Sequence, residues 1–152
     1  MTRMTIEIVD LTDGEVIRAG QLKLRILEDG TNTDHRLGIV EVTLPPSVAG
    51  PPQHVHRQHD ETFFIVSGTP TFTCGGETVE ARPGMLITVP PGTPHTFANP
   101  GGSESVMLCT VTPDLYIGYF RELATLPPGP PDPAVIGVIM SRYATEVVRP
   151  VG

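Results

Sequence analysis

Turn-forming pairs cut the first three-quarters of this chain into short segments and leave no room for long helices there. Asp13-Gly14, Asp29-Gly30, Pro51-Pro52, Gly75-Gly76, Pro91-Gly92 and Gly101-Gly102 recur along it, and the 152 residues carry 17 Pro and 16 Gly. Between them lie runs with period-two alternation: TIEIVD, EVIRAG, LKLRILED, HRLGIVEVTL, ETFFIVSG, TPTFTC, TVEARPG, MLITVP, HTFANP and SVMLCTVT. Alternating runs bounded by Gly and Pro read as half-buried strands, and many such strands in a row read as a sandwich or barrel. Gly75-Gly76 between TFTC and ETVEA is the clearest hairpin.

The length fits one domain with a core of its own. No apolar run approaches the ~20 residues of a membrane span. MTRMTIEIVD carries acidic residues and no long apolar stretch, so it does not read as a secretory signal, and a cytoplasmic protein is expected. A formal charge of −7 argues against a nucleic-acid partner. Cys74 and Cys109 form no C-x-x-C pair, so a thiolate zinc site is not indicated; both lie in strand-like runs and read as buried core residues. No phosphate-binding glycine motif follows a strand and opens a helix.

Two blocks concentrate metal-ligating residues. PPQHVHRQHDETFFIVSG places His54, His56 and Glu61 at H-x-H-x4-E, and GMLITVPPGTPHTFAN places His95 at the end of a Pro/Gly-rich connection. An H-x-H pair on a strand sends both imidazoles to one face, because side chains alternate with period two. Glu61 follows the four-residue connection RQHD, where a bulge would re-aim it. Three neutral imidazoles and one carboxylate suit one divalent transition metal ion: iron, manganese, cobalt, nickel, copper or zinc, which this donor set does not rank.

These blocks resemble the two signature motifs of the cupin superfamily. The second matches as G-x5-P-x-G-x2-H-x3-N through Gly84, Pro90, Gly92, His95 and Asn99. The first departs at its start, where Val48 stands in place of glycine and Gly50 comes two residues later. Fifteen residues, Thr69 to Pro83, separate the motifs, the compact spacing of single-domain cupins. The flanks are similar to those of small cupins like quercetin dioxygenase, with Thr112-Pro113 after the barrel and a tail from Tyr143 to Val147. The resemblance implies an all-β fold, a small antiparallel jelly-roll barrel with one or two C-terminal helices. Residues 1–152 would be one cupin domain, with the barrel over about 15–112 and a helical segment over about 113–147. It also implies metal ligation by His54, His56, Glu61 and His95, and a homodimer paired through an N-terminal strand such as TIEIVD.

PDLYIGYFRELATL reads as a helix with Thr112 as N-cap, Pro113 in the first turn, and Leu115, Tyr119 or Phe120, and Leu123 on one face. LPPGPPDP is a stiff loop, and Asp132-Pro133 caps a second helix. The first helix is expected to cover the barrel, either as plain packing or as a lid over the mouth. Parity places Phe63, Ile65, Phe97 and Asn99 inward, with Phe72 or Cys74 and Met107 or Cys109 across the barrel. Asn99 is expected to satisfy backbone groups rather than do chemistry. His59 has the wrong parity with His56 and is expected in solvent. His35 is expected in solvent or core.

A mostly apolar, aromatic interior favours a neutral small-molecule substrate. Phe63, Phe72, Phe97, Met107, Tyr116 and Phe120 are its candidate contacts. Glu61 has two readings, as plain ligand or as catalytic general base that takes a substrate hydroxyl proton. Together with the resemblance to quercetin dioxygenase-like cupins, this makes the leading function a dioxygenase acting on a hydroxylated aromatic, flavonol-like or enolisable compound, with dioxygen as co-substrate. The alternatives are a non-oxidative cyclase, isomerase or lyase of polyketide type, and a cupin that binds a small molecule without converting it.

Overall fold

The computed structural model describes residues 6–148. Turn residues punctuate the strands where the sequence predicts. The elements are β1 (Glu15–Ala19), β2 (Leu22–Glu28), β3 (Gly38–Leu44), β4 (Val48–Ala49), β5 (His54–His56), β6 (Asp60–Ser67), β7 (Thr71–Cys74), β8 (Glu77–Glu80), β9 (Leu86–Val89), β10 (Thr96–Asn99) and β11 (Ser105–Thr112). Two helices, α1 (Tyr116–Leu123) and α2 (Pro133–Ser141), and a last strand, β12 (Thr145–Val147), follow.

One sheet has six strands in the order β1-β2-β3-β11-β6-β9. The other layer is built on β4-β10-β7-β8, and the short pair β12-β5 continues it. The continuity comes from residues 48–56, which run antiparallel along 95–99. Val48 and Ala49 pair with Asn99 and Ala98, and after an interruption His54 and His95 exchange both backbone hydrogen bonds at 3.0 Å. All named strand pairings are antiparallel.

The alternation is cleanest in β3 and β11. Val40, Val42, Met107, Cys109 and Val111 are buried on the inner face, and Met107 lies opposite Val42, Cys109 opposite Val40. Phe63, Phe72 and Phe97 meet across the two sheets with ring centroids 5.2–6.1 Å apart, so aromatic packing closes the barrel between the layers.

Gly50 occupies the interruption for a steric reason. A Cβ there would lie 1.8 Å from the Phe97 carbonyl oxygen. Glycine is therefore needed at 50, after β4, where the chain passes against the Phe97 carbonyl of β10. Asn99 locks the same region: its Nδ2 donates to the carbonyls of Leu44, Pro45 and Ser103, which is the backbone-satisfying role expected of it.

Several expectations are corrected. Thr112 does not cap α1, because it stays in the ladder opposite Asp60; the helix winds only from Tyr116, with Leu115 at the cap position. Its buried face is Tyr116, Ile117 and Tyr119, while Leu115 is exposed. Cys74 is exposed, since it ends β7 at the Gly75-Gly76 turn beyond the edge of the core. Of the segment TIEIVD, Ile6–Asp10 are not in a strand among the described residues, and Thr5 lies outside them. Asp132 caps α2 as expected, accepting from the Ala134 amide at 2.9 Å, with Pro133 in the first turn. The tail after α2 returns as β12 rather than continuing as helix.

Candidate metal centre

His54 and His56 flank Val55 on β5, His95 stands directly across the bridge from His54, and Glu61 is the second residue of β6. The four side chains belong to three separate stretches of chain that the two sheets bring together. One ligand atom from each lies within 4.8 Å of all the others. Two donors on opposite sides of one ion, each about 2.1 Å from it, would be about 4.2 Å apart, so the cluster is close to the span a single ion needs. All four residues are buried, none more than 4 % exposed.

Each imidazole is oriented through its far nitrogen. His54 Nδ1 faces the Pro52 carbonyl at 2.9 Å, His95 Nδ1 the Thr93 carbonyl at 2.9 Å, and His56 Nδ1 the Thr145 hydroxyl at 2.8 Å. Carbonyl acceptors put a proton on Nδ1 of His54 and His95, so Nε2 is the atom each would offer a cation; the Nε2 of His95 meanwhile hydrogen-bonds Glu61 Oε2. The Thr145 hydroxyl donates its own proton to the Tyr143 carbonyl at 3.1 Å, so it accepts from His56 in the same manner.

Glu61 sits at the centre. Its Oε2 lies 2.8 Å from His56 Nε2 and 3.2 Å from His95 Nε2, and its Oε1 accepts from the Cys109 thiol at 3.3 Å. Burial alone would push the Glu61 carboxyl up, but His56 and His95 outweigh that and hold it below the usual carboxylate range. Burial pulls His95 down and Glu61 outweighs it, leaving His95 raised. Burial, with His95 and His56 adding to it, pulls His54 down to about 4. Cys109 is pushed well up by burial and by Glu61, so its sulfur stays a thiol.

His56 Nε2 is buried beside the carboxylate and yet makes no hydrogen bond. A buried imidazole nitrogen 2.8 Å from an anionic oxygen, with no other partner among the described residues, is an arrangement that a cation bound by both would satisfy. The residues present therefore fit a divalent transition metal ion held by His54, His56, Glu61 and His95.

The six candidate substrate contacts separate. Phe63, Phe72 and Phe97 form the aromatic triad of the core, and Met107 is fully buried beside it. Tyr116 of α1 lies against the cluster, its ring 4.4 Å from that of His56, and Phe120 packs edge-on to Tyr116 at 5.0 Å. Among the described residues, Tyr116 is the one of the six whose ring meets a ring of the cluster.

His59 corrects another expectation. It is 2 % exposed, with its ring 4.2 Å from His56 and 4.9 Å from Tyr116, and its Nε2 is buried without a hydrogen bond. Residues 57–59 lie between β5 and β6, so strand parity does not govern where His59 points. His35 does go to solvent, with Nδ1 2.9 Å from the Asp114 carboxylate. Sequence reasoning missed Thr145 as a partner of His56 and Cys109 as a partner of Glu61. Nothing local marks Thr145, because its role depends on β12 pairing with β5 from 89 residues away.

Two antiparallel layers closing over an inward cluster of three histidines and one glutamate define a jelly-roll barrel with a candidate metal centre. Residues 40–111 match the family model described as Cupin domain, and over that stretch the chain is similar to the cupins. Quercetin 2,3-dioxygenase of Bacillus subtilis (strain 168) is 26% identical over 121 residues, 76% of this chain but 34% of that protein, so the chain spans about a third of its length. L-ectoine synthase of Hyphomonas neptunium is 29% identical over 108 residues, 68% of this chain and 75% of that protein. The polyketide cyclase RemF from Streptomyces resistomycificus superposes with a TM-score of 0.63 at 23% identity, covering 71% of this chain and 80% of that one. That likeness is one of fold.

Proposed function

We propose that this protein is a metal-dependent cupin dioxygenase acting on a small hydroxylated aromatic, flavonol-like or enolisable substrate. The observation that carries the proposal is Glu61: a buried carboxylate held ionised against the His56 and His95 imidazoles through one oxygen, while the other accepts from the Cys109 thiol. A thiol is a weak donor, so Oε1 is open to a stronger partner. A substrate hydroxyl that replaced the thiol would give up its proton to this carboxylate, which is general-base chemistry. A bound ion would polarise a substrate oxygen and, if redox-active, carry the electrons of an oxygenation. Tyr116 and His59 cover the cluster and exclude water. Phe63, Phe72, Phe97, Met107 and Phe120 would supply the apolar surround. The match to quercetin 2,3-dioxygenase supports this reading.

A second reading is favoured by the other curated relative, which this chain spans more fully than it does the dioxygenase. The alignment with L-ectoine synthase reaches 75% of that protein, and a non-oxidative cyclase, isomerase or lyase would use the same carboxylate as base with the ion as Lewis acid alone. Screening flavonols, hydroxylated aromatics and β-diketones on metal-loaded protein, in air and under strict anaerobiosis, separates the two. The dioxygenase reading requires product in air only. Turnover without oxygen would replace it with the second, and tight binding without conversion under any metal would leave a binding protein.

The chain is inferred to act as one cytoplasmic cupin domain, with no nucleic-acid or membrane partner. No helix among the described residues is long and apolar enough to cross a membrane. A homodimer is the proposed assembly. Ile6 and Ile8, which precede β1 in the chain, are 85 % and 83 % exposed, which suits pairing through this segment.

A further inference from the structure

We propose that the C-terminal strand is part of the metal centre, with Thr145 as the positioning residue for His56, so that metal binding and docking of this strand are coupled; this rests on the metal-centre reading above. The register of β12 on β5 sets Thr145 opposite His56, Glu146 opposite Val55 and Val147 opposite His54. Thr145 is 3 % exposed and its hydroxyl stands 2.8 Å from His56 Nδ1.

The hydroxyl has one proton, and the Tyr143 carbonyl takes it. What remains toward His56 is a lone pair, which accepts Nδ1–H and fixes the tautomer whose Nε2 faces Glu61. His54 and His95 receive the same service from carbonyls within two residues of themselves. His56 alone depends on a distant segment.

That segment is fastened at several points beyond the ladder. The Arg57 amide donates to the Ala144 carbonyl at 2.8 Å, the Val148 amide to the Gln53 carbonyl at 2.8 Å, and Arg57 Nε to Glu146 Oε1 at 2.8 Å. Upstream, the Tyr143 ring packs edge-on against Tyr119 of α1 at 6.0 Å. A path of direct contacts thus runs from α1 through Tyr143 and Thr145 to the His56 imidazole. Partners that orient a metal-bound histidine typically change affinity 10- to 100-fold when removed. Coupling between an ion and a docked strand is reciprocal, so an ion that needs the strand must also hold it in place.

The test uses the full chain and Zn2+ in competition with a chromophoric chelator. Thr145→Val keeps the shape and removes the acceptor, and is expected to weaken Zn2+ binding about 10- to 100-fold, while Thr145→Ser, which keeps the hydroxyl, stays close to wild type. Urea unfolding of the metal-free proteins separates this from general destabilisation. If Thr145→Val does not fold, hydrogen exchange on the wild type decides: amides of residues 144–148 should gain protection when Zn2+ is added. Wild-type affinity in Thr145→Val, or amide protection indifferent to Zn2+, would overturn the inference while leaving the metal centre intact. A wild-type protein that takes no Zn2+ would overturn the metal centre and this coupling with it.

Discussion

Glu61 carries the sharpest residue-scale prediction. Glu61→Gln preserves the shape and a carbonyl-type donor for the ion but removes the base. Metal content by elemental analysis should persist, and turnover of any substrate the wild type converts should fall by about 10²- to 10⁴-fold, the usual worth of a positioned base. Full activity in that variant would remove the base role. The imidazoles add a pH dependence. His54 and His59 are both pulled down to about 4, by burial first. Between pH ~6.5 and ~4 the unfolded chain binds two protons that the fold resists, so stability falls as pH drops through that window. His95, raised by Glu61, acts oppositely: its contribution is complete below the unfolded value and is lost only as pH rises through the folded one. The urea midpoint of metal-free protein should therefore fall from about pH 6 to about pH 5, a loss on the order of 2 kcal/mol. A flat midpoint would mean that these rings reach water.

At the scale of elements, α1 is the cover of the site. Tyr116 stacks on Tyr119 at 4.4 Å and meets both His56 and His59, so the ring closes the cluster from above. Tyr116→Ala should cost roughly 3 kcal/mol in chemical denaturation, as large aromatic truncations do. It should also speed removal of bound metal by a chelator in stopped-flow mixing. An unchanged stripping rate would show that ions leave by another route. The sequence makes β5, β9, β10 and the Gly75-Gly76 hairpin readable, because alternation and turn residues act locally. The candidate ligands His54, His56 and His95 follow from strand parity and motif spacing for the same reason. The start of α1 is not readable, since Thr112 is claimed by a ladder with Asp60 that local cap signals do not encode. His59 fails likewise: parity holds within strands, and residues 57–59 connect two of them. Thr145 is hidden because its importance comes entirely from tertiary pairing.

At the scale of the whole molecule, the site exists only when both layers are assembled. Glu61 comes from the six-stranded sheet, the three histidines come from the other layer, and the aromatic triad spans the space between. An ion that bridges them stabilises the folded state alone, by about 2.7 kcal/mol at a hundredfold excess over its dissociation constant. Calorimetry should then show the melting temperature rising by roughly 5–10 °C when zinc, nickel or cobalt is added to stripped protein, and the rise should vanish in a variant with His54, His56 and His95 all replaced by Ala. A rise that survived there would place the ion elsewhere. Magnesium should do little, because it prefers oxygen donors in octahedral array.

The unequal placement of the two sulfurs has a practical consequence. Cys74 stands in water at the hairpin end, whereas Cys109 is sealed under Glu61 with its thiol held protonated. A maleimide dye would thus mark a single outlying spot without any mutation. A coloured ion such as cobalt, bound at the centre, would then dim that dye through space, which makes occupancy visible in real time on unaltered protein.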